Sequence, residues 1–129
     1  MQSGGFTDRA GTALSLAEKM ASRMSAGYVG TEHILVGLLR EKEGVAARVL
    51  KANGADEEKI VEMIRELIMP EVTVTLKERE DYSPRARFVL EEAHRQADRF
   101  GANATGTEHI LLAMLKEGEN VAVRLLNTL

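Results

Sequence analysis

Two carboxylate–imidazole pairs carry the most chemical promise in this chain. Glu32-His33 and Glu108-His109 each lie inside the run Gly-Thr-Glu-His-Ile-Leu, found at 30–35 and again at 106–111. Such a pair could hold a metal, move a proton or bind a cation. A symmetric metal site is disfavoured, because adjacent residues on a helix point about 100° apart. Neither run carries the second histidine, four residues on, of a helical zinc site. His33 and His109 read as partly buried rings bonding a neighbouring loop. His94, aligned with Glu18, reads as a solvated helix residue. Glu32 and Glu108 fall in the first turn of a helix, where the dipole favours an anion by about 0.3–1 kcal/mol. Dipole complementation alone would account for either one. Their recurrence, each beside a glycine (Gly30, Gly106), points further. An exposed carboxylate at a helix start can receive a guanidinium bidentately. Helix-start N–H groups, with Arg9 or Arg85, could hold a phosphate on the same ligand. The plain alternative for the arginines is a surface salt bridge, for example to Asp8 or Glu91.

The glycine spacing of Gly101 to Gly106 imitates a phosphate loop. Thr107 stands where the phosphate-reaching lysine belongs, and the segment follows a helix rather than a strand, so nucleotide binding in that mode is excluded.

Both runs belong to a longer duplication. At an offset of 76, residues 6–50 align with 82–126 without a gap, and 20 of the 45 pairs are identical. The two copies are expected to pack with pseudo-two-fold symmetry. Each reads as helices. Thr7 caps the first, and Ser83-Pro84 opens its copy. Ala10, Ala13, Leu14, Ala17, Ala21 and Met24 repeat with helical period, matched by Ala86, Val89, Leu90, Ala93, Ala97 and Phe100. Gly101 is placed to end the second copy. The second helix starts at Gly30-Thr31 with Thr31 as cap, is apolar nearly all round, and ends near Glu41. A third spans Val45–Ala52, closed by Gly54, with its copy at Val121–Asn127. A fourth runs from Asp56 to about Ile68 on an apolar face of Ile60, Val61, Ile64, Leu67 and Ile68, and Pro70 stops it. Residues 70–81 read as a linker in which Val72, Val74 and Leu76 allow a short extended stretch. Phe6 and Tyr82 read as partly exposed hydrophobic staples on the helices they precede. The fold class is therefore all-α: a tandem pseudo-two-fold repeat of about four helices each, with the last helix of the second repeat missing. That absence suggests a chain cut from something longer, or a frayed end.

Composition narrows the function. The chain has 129 residues, 17 basic and 20 acidic, for a net charge of −3. Residues 1–70 hold 9 basic and 10 acidic side chains, and 71–129 hold 8 and 10. Neither half has the basic excess of a duplex-binding surface, and aromatics at 4% offer little for base stacking. Zero cysteines exclude disulfides, zinc-thiolate sites and cysteine nucleophiles. No apolar run approaches the roughly 20 residues of a membrane helix, and the N-terminus lacks the order of a secretion signal.

The motifs resemble the N-terminal domain of Clp/Hsp100 AAA+ unfoldases. They are Phe6-Thr-Asp-Arg-Ala10, Gly30 to Leu39, Glu43-Gly-Val-Ala-Ala-Arg-Val-Leu50, Tyr82-Ser-Pro-Arg-Ala86 and Gly106 to Leu111. The ClpC branch fits best, and the resemblance covers 6–129 as one domain: repeat one 6–69, linker 70–81, repeat two 82–129. It implies a cytoplasmic bacterial module that recruits substrates and adaptor proteins to an ATP-driven unfoldase feeding a Clp peptidase; the isolated domain is expected to be a monomer, since no long apolar stripe is left once the core is assigned. It implies no catalysis and no cofactor in this domain, ATP and Mg belonging to the motor domains. It further implies a reader of phosphorylated arginine. Glu32 and Glu108 would hold the guanidinium, with Thr7, Arg9, Ser83 and Arg85 as candidates on the phosphate side. The resemblance departs at Gly118-Glu119-Asn120 and at Ala104-Thr105, which stands where Tyr28-Val29 does. The second change puts unequal affinity at the two sites on the table. Two competing readings are a free-standing regulatory protein docking on a Clp complex and a small metal-dependent enzyme.

Overall fold

The computed structural model describes residues 5–68 and 82–129. Residues 1–4 and the linker expected over 70–81, with Pro70, lie outside them. Helix α1 spans Asp8–Arg23, α2 Thr31–Glu41, α3 Val45–Ala52 and α4 Glu57–Met63, which continues as a π-helical stretch over Ile64–Ile68. Helix α5 spans Pro84–Arg99, α6 Thr107–Glu117 and α7 Val121–Thr128. The expected caps are in place. The Thr7 hydroxyl accepts the Ala10 N–H and the Ser83 hydroxyl accepts the Ala86 N–H, both at 3.1 Å. Asp56 caps α4 through the N–H groups of Glu58 and Lys59. In α4 Ile60 and Ile64 are buried, whereas Leu67, expected on the same face, is 52% exposed. The π-helical turn rotates residues after Ile64 away from the spacing of an α-helix.

Helix α2 is the hub. Thr31 through Leu39 are all buried. It meets α1 over the largest helix pair in the molecule, exceeding the α5–α6 pair. Alanines at 10, 13 and 17 in α1, all fully buried, let the backbones approach. At the crossing, a methyl group on Gly37 would lie 2.2 Å from the Ala13 carbonyl oxygen. The second repeat carries Ala113 at the matching place.

The halves are joined by reciprocal contacts. Residues Phe6 and Thr105 pair as a parallel bridge, and so do Val29 and Tyr82. The Thr7 N–H donates to the Thr105 carbonyl and the Ser83 N–H to the Val29 carbonyl, each at 2.9 Å. Phe6 and Tyr82 are therefore not staples on their own helices. The staple position on α1 is Gly11, which has no side chain, and on α5 it is Arg87. Both aromatics reach into the other repeat instead. The Phe6 ring lies 4.7 Å from that of His94, and the Tyr82 hydroxyl donates to Glu18 at 2.7 Å. His94 is thus half-buried, with Nδ1 2.6 Å from the Thr105 hydroxyl, rather than solvated.

The repeats differ where α4 has no described counterpart. Helix α4 packs on α2 and α7. Leu39 of α2 is 1% exposed, while its equivalent Leu115 in α6 is 49% exposed.

Two substitutions test the helix crossing. Gly37→Ala gains up to about 1 kcal/mol of helix propensity, but overpacking against fixed backbone costs about 1–3 kcal/mol. Chemical denaturation should show net destabilisation; equal or greater stability would remove the close-approach argument. Lys42 holds φ 78°, where the second repeat has Gly118 at φ 77°. Left-handed backbone costs a residue with a Cβ about 1–2 kcal/mol, and glycine's extra unfolded entropy returns about 0.5–1 kcal/mol. Lys42→Gly should raise the denaturation midpoint.

Candidate functional site

The two Gly-Thr-Glu-His runs are built alike. The N-cap is Gly30 or Gly106, not the threonine expected from the sequence. The Gly30 N–H donates to His33 Nδ1 and the Gly106 N–H to His109 Nδ1, both at 2.9 Å. The imidazole at the third helical position thus closes the helix start, as a glutamine does in a capping box. The threonine hydroxyls, freed from capping, cross to the other repeat. Thr107 accepts the Ala46 N–H of α3, and Thr31 accepts the Ala122 N–H of α7, both at 3.2 Å. Glycine before them leaves the glutamate side chains their place; its dihedral is ordinary extended backbone. A methyl group would come within 2.4 Å of Glu32 Oε1 at Gly30, and within 2.6 Å of Glu108 Oε1 at Gly106.

These exchanges bring Thr7, Arg9 and Glu108, which come from different repeats, onto one cleft. It is open, about 360 Å³, and also lined by Asp8, Gly44 and Arg48. Helices α1 and α3 both begin on it, so two positive dipole ends converge there, with the Ala10 and Ala46 N–H groups already taken by the Thr7 and Thr107 hydroxyls. Glu108 is exposed. Arg9 is committed: Nη1 lies 3.2 Å from Glu41 and 2.9 Å from Glu43. Glu43 and then Glu41 raise the Arg9 pKa above its ordinary value, and Arg9 in turn lowers that of Glu43. Arg85 makes the equivalent pair with Glu117. The salt bridges expected for these arginines thus exist, but with partners some thirty residues away rather than Asp8 or Glu91. Arg48 has no ion-pair partner among the described residues and is the uncommitted cation of the cleft. Its one signal in the sequence is identity with Arg124 across the repeat.

Glu32 is placed differently. It is 2% exposed, against the expectation of an accessible carboxylate. The Tyr28 hydroxyl donates to Glu32 Oε2 at 2.6 Å. Burial, with the neighbouring Glu32 charge, pushes the Tyr28 phenol above its ordinary range and keeps it a donor. Glu32 lines a separate cavity of about 60 Å³ with Met24, Tyr28, His33 and Ile64. Ser83 caps α5 and Arg85 is paired, just as Thr7 caps α1 and Arg9 is paired, but the cavity that Glu32 lines includes neither of them.

A family profile described as "Clp repeat (R) N-terminal domain" matches residues 5–129. The chain belongs to this family. All of the domain aligns at 45% identity with the Bacillus subtilis "Negative regulator of genetic competence ClpC/MecB", covering 16% of that protein. All of it also aligns at 43% identity with "Chaperone protein ClpB" of Oceanobacillus iheyensis, again covering 16%. The domain thus spans about a sixth of the length of these relatives, and the resemblance to the ClpC branch holds. Among solved structures, the N-terminal domain of ClpD from Arabidopsis thaliana superposes with TM-score 0.79 at 21% identity, over 96% of this chain and 86% of that one. The all-α fold stands on that likeness. Among the described residues no group of three or more His, Asp or Glu side chains could hold a metal, and no helix is long and apolar enough to cross a membrane.

Burial lowers the His33 pKa below its ordinary 6.5, with Glu32 opposing. An imidazolium also cannot accept the Gly30 N–H. The folded state therefore binds this proton less readily than the unfolded chain. Its contribution to stability is complete above about pH 6.5 and is lost as the pH falls below that value. Urea unfolding at pH 7.5 and 5.0 should show a loss that is smaller in His33→Gln, which keeps an acceptor at the capping position. An equal loss in the variant would exclude His33 as its source.

Proposed function

We propose that this domain recruits protein substrates and adaptors to an ATP-dependent, ClpC-type unfoldase of the bacterial cytoplasm, and that it reads phosphorylated arginine as a degradation tag. The domain is non-catalytic, needs no cofactor of its own and is monomeric when isolated. ATP and Mg serve the motor domains of the parent protein, which passes substrates to a Clp peptidase. The observation that carries the tag reading is the composite cleft. It sets an exposed carboxylate, Glu108, together with two helix starts and Arg48, an arginine without an ion-pair partner among the described residues. A phosphorylated guanidinium has the matching polarity, with a cationic planar end for Glu108 and a dianionic end for the α1 and α3 starts and Arg48. Thr7 lies at the phosphate side, and Arg9 contributes there while held by Glu41 and Glu43. Glu32, Ser83 and Arg85 are the pseudo-symmetric counterparts of Glu108, Thr7 and Arg9 and the candidates for a second site. Two sites on one domain suit multiply tagged substrates, because the second contact forms at high effective concentration.

Calorimetric titration with free phosphoarginine, beside arginine and phosphoserine, tests this. Selective binding should weaken by roughly ten- to a hundredfold in Glu108→Ala, the range expected for removing a charged hydrogen-bond partner. It should disappear when Glu32→Ala is added. Arg48→Ala should weaken phosphoarginine and leave arginine unchanged. Absence of binding to the wild type at millimolar ligand would leave a docking domain that recognises adaptors or unfolded chain by surface, and the glutamates would revert to helix-dipole partners.

A further inference from the structure

We infer that Tyr28 is a latch that holds the Glu32 carboxylate closed, so that the domain carries one open receptor site, at Glu108, and one site that must be unlatched before it can bind. The inference rests on the tag-reader proposal only for the identity of the ligand. The latch itself stands on an internal comparison that the duplication provides. Glu32 and Glu108 occupy equivalent places in identical six-residue runs. Their glycine caps, histidine ring bonds and crossing threonines have the same distances, 2.9 Å for the ring bonds and 3.2 Å for the threonines. The main chain therefore does not explain why one carboxylate is 2% exposed and the other lies open on the cleft. The residue four places before each does. Tyr28 donates to Glu32 at 2.6 Å; the equivalent residue is Ala104, which has no group to donate.

The tyrosine is also held from behind. Its ring meets the His33 ring edge-on at 5.5 Å, and His33 is fixed by its bond to Gly30. The π-helical turn supplies Ile64 and Ile68 to the same small cavity, and among the described residues the second repeat has no such wall. Glu32 is thus satisfied inside the fold, and a guanidinium can reach it only by displacing a phenol that donates to a carboxylate. Displacing a charge-assisted bond of this kind weakens apparent affinity by roughly ten- to a hundredfold. The two sites then fill in order, Glu108 first.

Two measurements on the intact chain test this, one of which needs no ligand. Carbodiimide coupling of an amine, mapped by mass spectrometry, should modify Glu108 readily and leave Glu32 at least about tenfold slower. Tyr28→Ala should bring Glu32 to the rate of Glu108, and Tyr28→Phe should open it in part. The reciprocal change, Ala104→Tyr, should slow Glu108 and leave Glu32 as it was. Equal labelling of the two glutamates in the wild type, or labelling of Glu32 unchanged in Tyr28→Ala while circular dichroism shows a folded chain, would overturn the latch. Titration with phosphoarginine then reads the consequence: one tight equivalent in the wild type and two in Tyr28→Ala. Two tight equivalents in the wild type would overturn the latch. Failure of every variant to bind phosphoarginine, with the labelling pattern intact, would overturn the ligand and not the latch.

Discussion

Two hydroxyl groups that leave their own helices hold this domain in its working form. Thr31 and Thr107 sit at the first position of α2 and α6, where a threonine ordinarily has backbone to serve nearby. Each instead accepts an N–H from the other repeat, and both are 2% exposed. Loss of such a buried partner costs about 1–3 kcal/mol, a large share of the stability of a small domain. The exchange is possible because glycine and histidine do the capping. Gly30 and Gly106 leave room, and the ring nitrogens of His33 and His109 take the cap N–H. Glycine, threonine and histidine of Gly-Thr-Glu-His thus each have a separate structural task, and the glutamate has no part in the cap or in the crossing bond.

This arrangement explains why neither repeat could make the cleft alone. Glu108 stands on the second repeat, whereas Thr7, Arg9, Gly44 and Arg48 stand on the first. The same bonds that fasten α3 to the start of α6 bring the α3 start to Glu108. Formation of the cleft and packing of the repeats are therefore one event.

Duplication also lets one copy change what the other keeps. Glycine stands at the left-handed positions of the second repeat, Gly101 and Gly118, where the first has Ser25 and Lys42. The first repeat has a glycine at 37, where the second has Ala113, and it seats α2 tightly against α1. At positions 18 and 94 a carboxylate and an imidazole meet Tyr82 and Phe6, giving a hydrogen bond on one side and a ring contact on the other. Tyr28 and Ala104 are the divergence with the greatest functional reach, because they decide which carboxylate meets solvent.

Much of this was legible in the residues themselves. Helical period, the Thr7, Ser83 and Asp56 caps and the gapless offset of 76 follow from local geometry, and they placed the helices within a few residues. The match of the Clp motifs to the family, and the choice of Glu32 and Glu108 as the carboxylates of interest, also came from the linear pattern. What the pattern could not contain is which side chain faces which across the pseudo-two-fold. A capping preference is a local energy, so it assigned Thr31 to its own helix. The lower free energy lay in a bond to Ala122, 91 residues away. The same limit applied to Phe6 and Tyr82, whose side chains find partners in the other repeat, and to His94, which meets Phe6 there and Thr105 within its own. It also applied to Arg9, whose carboxylates lie at the far end of α2 (Glu41) and just beyond it (Glu43). The sequence alone determined that there are two equivalent carboxylates at two helix starts. Only the tertiary structure decided that one is open and the other covered, because exposure depends on what packs over a group, and the phenol over Glu32 acts through space.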